Sequence, residues 1–141
     1  MNYVPSHTFP DAAQQAEIWV SELSEQLHCE RPQAYDCLRS VLHTLQDSIN
    51  QKAMADFSSK LPVLIRGMYY ENWQPEQFRP RLSKNDFIME FEKRSKFKNG
   101  MDSEQAVTNV FKLFNRRLNA PTIQKIKSTM SASLDSLWPI E

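Results

Sequence analysis

The sequence predicts an all-α fold, a single domain of six to eight helices built from two related three-helix units. Apolar residues recur at helical spacings of three and four along most of the chain, and no stretch shows the strict alternation of a strand. The 141 residues include only two glycines, whereas β-rich and Rossmann-type chains use glycine in turns and phosphate loops. Apolar positions also coincide when the chain is shifted by 69 residues, which indicates an internal repeat.

The composition is that of one globular domain. Hydrophobic residues make up 40% and charged residues 24%, with 17 Lys and Arg balancing 17 Asp and Glu. No apolar run reaches the roughly 18 residues of a membrane span. Residues 1–10 lack the pattern of a secretory signal. The two cysteines do not form a disulfide framework, so we expect a protein of the reducing cytoplasm.

Helices in the first half are delimited by capping residues and prolines. Asp11 can cap the first helix, Pro32 suits the first turn of the second, and Asn50 can cap the third. Pro62 then breaks the pattern before it resumes. The apolar stripes are Ala16, Val20, Leu23 and Leu27; Ala34, Leu38, Val41, Leu42, Leu45 and Ile49; Met54, Phe57 and Leu61; and Leu64, Ile65, Met68 and Tyr69.

A connector, residues 71–82, joins the halves, because Pro75 and Pro80 exclude a regular helix there; Trp73 and Phe78 are expected to pin it to the surface. The second half repeats the pattern, with Ser83 and Asp102 as caps, a turn at 98–100, and a last helix that starts at Pro121 and ends near Trp138. Its stripes are Phe87, Ile88 and Phe91; Ala106, Val110, Leu113, Phe114 and Leu118; and Ile123, Ile126, Met130, Leu134 and Leu137.

The repeat aligns ten apolar pairs that lie 69 residues apart. They are Val41–Val110, Leu42–Phe111, Leu45–Phe114, Ile49–Leu118, Met54–Ile123, Phe57–Ile126, Leu61–Met130, Ile65–Leu134, Met68–Leu137 and Tyr69–Trp138. Either two copies pack their apolar faces together, or two helical hairpins of similar size merely look alike. The first interpretation predicts one domain over 11–141, with repeat one at about 11–73 and repeat two at about 83–138.

Two segments carry a resemblance to a known family. Residues 33–45 (QAYDCLRSVLHTL) and 61–73 (LPVLIRGMYYENW), followed by Pro75 and Phe87, resemble the bacterial domain of unknown function 2267 family. That family has a repeated segment with a Val-Leu-x-x-Leu helix and a Leu-Pro start to the next helix. The resemblance implies an all-helical fold and brings no catalytic residues with it. In the second half Met130-Ser131 replaces Leu-Pro, so we expect the last helix there to run unbroken.

Neither a metal site nor a catalytic centre is predicted. Cys37 and His43 lie six residues apart on one helix, about 240° around its axis, and cannot face one ion together with His28 and Cys29. The chain has no Gly-x-Ser-x-Gly elbow and no glycine-rich phosphate loop, and it has no pair of Glu-x-x-His motifs of the sort that di-iron bundles need, since only Glu25 and His28 stand at that spacing. We therefore expect no catalytic residues, no cofactor and no metal, although an enzyme stays a less favoured alternative.

Residues 64–73 concentrate aromatic side chains around Arg66 and Gly67. In one interpretation Gly67 admits a neighbouring helix while Tyr69 and Trp73 fill the core. The other is an exposed interaction patch formed by Arg66, Tyr69, Tyr70 and Trp73, the residue types favoured at protein interfaces.

Charge is unevenly distributed, since residues 1–70 carry a net charge of −3 and residues 71–141 carry +3. Between residues 105 and 134 no acid interrupts five bases: Lys112, Arg116, Arg117, Lys125 and Lys127. They form either a solvated face or a weak surface for nucleic acid or an acidic partner. The favoured hypothesis is a non-catalytic cytoplasmic module for protein interaction or self-association. The alternative is binding through this basic face.

Overall fold

The computed structural model describes residues 8–74, 82–96 and 101–139, which form an all-α domain without a strand, as predicted. The helices are α1 (Thr8–Leu27), α2 (Arg31–Ser48), α3 (Gln51–Ser58), α4 (Val63–Tyr70), α5 (Lys84–Arg94), α6 (Ser103–Arg117) and α7 (Ala120–Ser128), followed by a 3₁₀ helix (Ala132–Ser136). Most of the predicted connector, including Phe78, lies outside the described residues, as does the turn predicted at 98–100.

Side-chain caps fix where several helices begin. Asn50 and Ser83 each accept a hydrogen bond from the backbone N–H three residues later, at 2.9 and 3.1 Å, and Asp102 accepts one from two residues later. These three predicted caps are confirmed. The prediction for Asp11 is wrong, because α1 already begins at Thr8. Asp11 instead lies in the first turn, where a carboxylate interacts favourably with the helix dipole.

Both halves contain a break before their last helix. The predicted interruption at Pro62 is confirmed, since Pro62 precedes the first residue of α4. The expectation that the last helix of the second half runs unbroken is wrong. Its α7 ends at Ser128, and Ser131 caps the 3₁₀ helix by accepting a hydrogen bond from the N–H of Ser133 at 3.2 Å. A serine side chain can therefore start a new helix where the first half uses proline.

α2 is the central helix, packed against α1, α4, α5 and α6. Every residue from 41 to 49 is buried, although the apolar stripe alone would bury only one face. Polar residues on the other faces meet partners: Thr44 accepts a hydrogen bond from Arg94 of α5 at 3.0 Å. α2 therefore contacts neighbours on several sides of its axis.

The core joins the two halves through aromatic rings. The ring of Phe57 lies 5.6 Å from both Tyr69 and Phe114, in edge-to-face geometry with each. Trp138 stacks on Phe111 with centroids 4.2 Å apart and planes inclined by 7°. These rings come from α3, α4, α6 and the segment after the 3₁₀ helix, so one hydrophobic core spans both halves.

Ion pairs also connect the halves. Glu22 of α1 accepts hydrogen bonds from Arg116 and Arg117 of α6, the latter at 2.5 and 2.8 Å. Arg94 of α5 lies 2.5 Å from Asp47 of α2. The opposite net charges of the two halves are therefore partly neutralised within the molecule.

Several positions 69 residues apart occupy similar places. Asn50 and Asn119 both cap the helix that follows, and α4 and the 3₁₀ helix begin at residues 63 and 132. The thiol of Cys37 lies 3.7 Å from the carbonyl oxygen of Ala106, also 69 residues away. Such correspondences are what a duplicated unit with a pseudo-twofold axis would produce. The duplication itself stays a prediction.

A bilayer span needs a helix that is both long and apolar, and none of the helices in the described parts of the chain has that combination.

Candidate partner-binding groove

The aromatic segment of α4 is divided between the core and the surface. Tyr69 is fully buried, so it cannot belong to the exposed patch that the sequence suggested. Tyr70 is half-buried and its hydroxyl pairs with Ser58 Oγ at 2.9 Å. Trp73 is 36% exposed, edge-to-face with Tyr70, and borders a separate depression of about 250 Å³. The core interpretation holds for Tyr69 but not for Trp73.

Arg66 donates hydrogen bonds to backbone carbonyl groups at the end of α3 and in the segment that follows it. Its Nε donates to the carbonyl oxygen of Ser58 at 2.9 Å, and its Nη2 donates to that of Leu61 at 3.2 Å. Ser58 ends α3, where its carbonyl oxygen also accepts from the N–H of Leu61 at 3.1 Å, and Leu61 lies in the corner that follows. Both carbonyls lie at a helix end that lacks intrahelical donors. Arg66 therefore caps α3 and fixes the corner between α3 and α4.

An apolar groove lies between α1 and α4. It encloses about 450 Å³, and we call it the α1–α4 groove. Its floor contains the buried side chains of Val20, Ile65 and Met68. The lining residues are Ala13, Ala16, Glu17 and Val20 of α1, Tyr35 of α2, Leu64, Ile65, Gly67 and Met68 of α4, and Glu71. A volume of this size accommodates several side chains of a partner.

Gly67 lies on the wall of this groove and is exposed. A Cβ atom built there would meet nothing within 4 Å, so the expectation that Gly67 admits a neighbouring helix is wrong. Because Gly67 has no side chain, the groove is open to solvent on this side of α4. Glycine costs a helix about 1 kcal/mol relative to alanine. Gly67 therefore keeps this part of the groove open at a cost in the stability of α4.

Large apolar side chains stand exposed beside the groove. Leu64 is 50% exposed, Tyr35 and Val63 are exposed to a similar degree, and Phe9 is almost fully exposed. Phe9 precedes Ala13 by four residues on α1, so the two share one helix face. Apolar surface that continues beyond a concave floor is typical of an interaction site.

The charged residues that line the groove are both acidic. Glu17 forms an ion pair with Arg31, and both side chains are more than half exposed. Glu71 accepts a hydrogen bond from Arg39 at 3.0 Å. Ion pairs that remain accessible to water, as both of these are at least in part, contribute little to stability.

Polar side chains of α2 hold the end of α4 beside the groove. His43 Nε2 lies 2.8 Å from the carbonyl oxygen of Met68, and Gln46 donates to that of Tyr69 at 2.6 Å. Burial lowers the pKa of His43 below its ordinary value, an effect that Arg39 reinforces and that the Met68 carbonyl opposes. A neutral imidazole with Nε2 protonated suits this hydrogen bond.

The predicted basic face is engaged within the molecule. Arg116 and Arg117 bind Glu22, and Lys125 lies 3.7 Å from Asp56. Lys127 donates to the carbonyl oxygen of Trp138 at 2.5 Å, and Lys112 is half-buried. Four of these five bases, all except Lys112, therefore have a carboxylate or a carbonyl oxygen as a partner within the molecule.

Cys37 and His43, which the sequence analysis considered as metal ligands, each have a backbone carbonyl oxygen as a partner. The thiol of Cys37 is buried and donates to a carbonyl oxygen, and burial raises its pKa. In the part of the chain that the structure describes, no three His, Cys, Asp or Glu side chains come close enough together to hold a metal ion.

Sequence reasoning missed most of the groove. The segment around residues 64–73 points to its α4 side, but Ala13 and Glu17 of α1 and Tyr35 of α2 were not predicted as site residues, and Ala16 was predicted only as part of an apolar stripe. The sequence contains one indication of the groove. α4 begins with three consecutive apolar residues, Val63, Leu64 and Ile65, and three in a row are more than one buried helix face can accommodate.

Residues 16–137 match a family described as "Uncharacterized conserved protein (DUF2267)". No curated protein matches the chain.

Proposed function

The chain belongs to the DUF2267 family, and for this member we propose a non-catalytic function, the binding of a partner protein in the α1–α4 groove. The observation that carries the proposal is the apolar concave floor of about 450 Å³ bordered by the exposed Leu64. Burying exposed apolar surface is the dominant driving force of most protein association. We further propose that the protein acts in the cytoplasm.

Site-specific photo-crosslinking in the native cell tests this function. A photoreactive phenylalanine analogue replaces Leu64 in the groove, and in a matched control it replaces Met89 on α5, which is 53% exposed and lies outside the groove. We expect a discrete crosslinked species from position 64 and none of that mass from position 89.

The partner recovered from the crosslinked species is then purified and titrated against wild type and the Leu64→Ser variant. Binding by the variant is expected to be about five- to thirtyfold weaker, because a partly exposed leucine at an interface contributes on the order of 1–2 kcal/mol. Equal crosslinking from both positions, or equal affinity of both proteins, would show that the groove is not the binding site.

A further inference from the structure

The apolar stripe of α1 that borders the groove is long enough for a helix to lie along it. Phe9, Ala13, Ala16 and Val20 follow one another at spacings of four, three and four, so they share a face. Eleven steps at about 1.5 Å each give a stripe of roughly 16 Å, or three turns. The eight residues of α4 span only about 12 Å and leave the N-terminal part of the stripe uncovered.

Charge around the groove selects among the helices that could fill it. Glu17 and Glu71 are the charged residues among those that line it. α1 itself contains four acids, Asp11, Glu17, Glu22 and Glu25, and neither Lys nor Arg. Each lining carboxylate is paired with an arginine of α2, Glu17 with Arg31 and Glu71 with Arg39, and both pairs are partly exposed, so they contribute little to stability and compete weakly with a cation of a partner.

From this juxtaposition we infer that the α1–α4 groove receives a basic amphipathic helix of a partner protein, with apolar side chains on the groove floor and Lys or Arg facing Glu17 and Glu71. The inference rests on the proposed function and specifies its partner. Helix-in-groove recognition of this kind uses apolar anchors at i, i+3 or i+4, and i+7, which match a three-turn stripe. Complementary charge then sets the orientation and excludes wrong partners.

A second copy of the chain is a poorer occupant on the same evidence. Packing α1 against α1 of another copy would bring together two helices that each contain acidic residues but neither Lys nor Arg. Like charges placed opposite each other across an interface disfavour association.

The test uses the full-length protein and two labelled fourteen-residue peptides. Both place leucine at helical i, i+3, i+4 and i+7 positions; one carries lysine at the remaining positions and the other glutamate. Binding is followed by fluorescence anisotropy at low salt. We expect the lysine peptide to bind with micromolar Kd and the glutamate peptide to bind at least tenfold more weakly.

Variants then locate the binding. Gly67→Trp adds a large side chain to the lining of the groove at a position whose Cβ atom meets nothing within 4 Å, and Leu64→Ser removes apolar surface. Each is expected to weaken binding of the lysine peptide at least tenfold, whereas Met89→Ser leaves it unchanged. Glu17→Gln should weaken binding severalfold and Glu25→Gln should not. Circular dichroism and Tm verify that all variants are folded.

Three results would overturn the inference. The two peptides could bind equally well, the groove variants could bind the lysine peptide like wild type, or the wild type could be a dimer that Leu64→Ser converts to a monomer, which would make a second copy the occupant. The peptide experiment and the crosslinking experiment that tests the proposed function can fail independently of each other. A partner crosslinked at position 64 that presents no basic helix rejects the inference and retains the function, whereas no crosslink at that position rejects the function.

Discussion

Glu22 is a single carboxylate that holds two guanidinium groups of another helix. Burial alone would raise its pKa, but the hydrogen bonds and charges of Arg116 and Arg117 together lower it below the ordinary value of 4.5. A lowered pKa in the folded state means that this interaction stabilises the protein above about pH 4.5 and that the contribution is lost as the pH falls through the folded-state pKa.

Glu22→Gln is therefore expected to lower the free energy of unfolding at pH 7 by about 1 kcal/mol, since both arginines are about one-third exposed and screened by water. Urea unfolding at several pH values measures the difference. The gap between variant and wild type should narrow below pH 4.5, where the wild-type carboxylate also becomes neutral. Glu25→Gln, on an exposed turn of the same helix, is the control and should leave stability nearly unchanged. A gap independent of pH would contradict this prediction.

His43 gives a second pH dependence, in a different range. Its pKa lies below the ordinary value of 6.5, first because the imidazole is buried. The unfolded chain therefore binds more protons than the folded one just below pH 6.5, and stability falls as the pH is lowered from there. One proton limits this slope to about 1.4 kcal/mol per pH unit.

His43→Gln is expected to flatten that slope, because an amide can still donate to the Met68 carbonyl oxygen and does not titrate. Thermal or urea unfolding between pH 7 and pH 5 measures the slope. The matched control replaces His28, which is exposed and has a φ of 53°, with asparagine, a residue that tolerates this backbone conformation. If His28→Asn flattened the slope and His43→Gln did not, the assignment to His43 would be wrong.

At the level of single residues, the sequence could not separate the two tyrosines of α4. Tyr69 and Tyr70 are chemically identical neighbours, and only the axis of α4 relative to α3 decides that Tyr69 is buried against Phe57 while Tyr70 reaches Ser58. The hydrogen bonds that Arg66 donates to the end of α3 could not be predicted either, because their acceptors are backbone carbonyl groups, which every residue possesses.

The helices themselves were largely predictable because their ends carry local chemistry. Asn50, Ser83 and Asp102 cap helices through their own first turns, an interaction within a few residues of sequence. The break near Ser131 was missed because a serine inside an apolar stripe usually lies on a helix face. Where proline is absent, only the packing of Leu134 and Leu137 into the core shows that the helix must turn.

The caps Asn50 and Asn119 allow the two halves to be compared energetically. Each side chain accepts a hydrogen bond of 2.9 Å from the backbone three residues later. Asn50→Ala and Asn119→Ala are each expected to lower the free energy of unfolding by about 1 kcal/mol, as loss of an N-cap usually does. The double variant should lose the sum of the two, since the caps serve separate helices. Denaturant unfolding measures all three, with the exposed Asn85→Ala as a control outside any cap.

At the scale of the whole molecule, the groove is the feature that the sequence concealed. Its walls come from α1 and α4, which are separated by two helices along the chain. An amphipathic pattern predicts that Val20 and Ile65 are buried, but it does not say which helices meet or how much of each stays uncovered. The exposed Leu64 and the open face of Gly67 become informative only once both walls are in place.

The distribution of charge gives the last prediction, which concerns nucleic acid. Binding of a duplex at physiological salt depends on bases that are available to neutralise phosphates. Arg116 and Arg117 bind Glu22, and Lys125 lies beside Asp56. Phosphate groups would therefore have to displace the carboxylates of the protein itself from these bases. We therefore expect no change in the anisotropy of a labelled DNA duplex at micromolar protein and 150 mM salt.

Glu22→Gln makes this experiment more discriminating. It leaves Arg116 and Arg117 without their carboxylate and raises the net charge by one. If the pairing is what prevents binding, the variant should show weak binding at 50 mM salt that disappears at 200 mM, because counterion release makes phosphate contacts salt-dependent. Salt-sensitive binding already present in the wild type would contradict the prediction and favour the basic face as a functional surface.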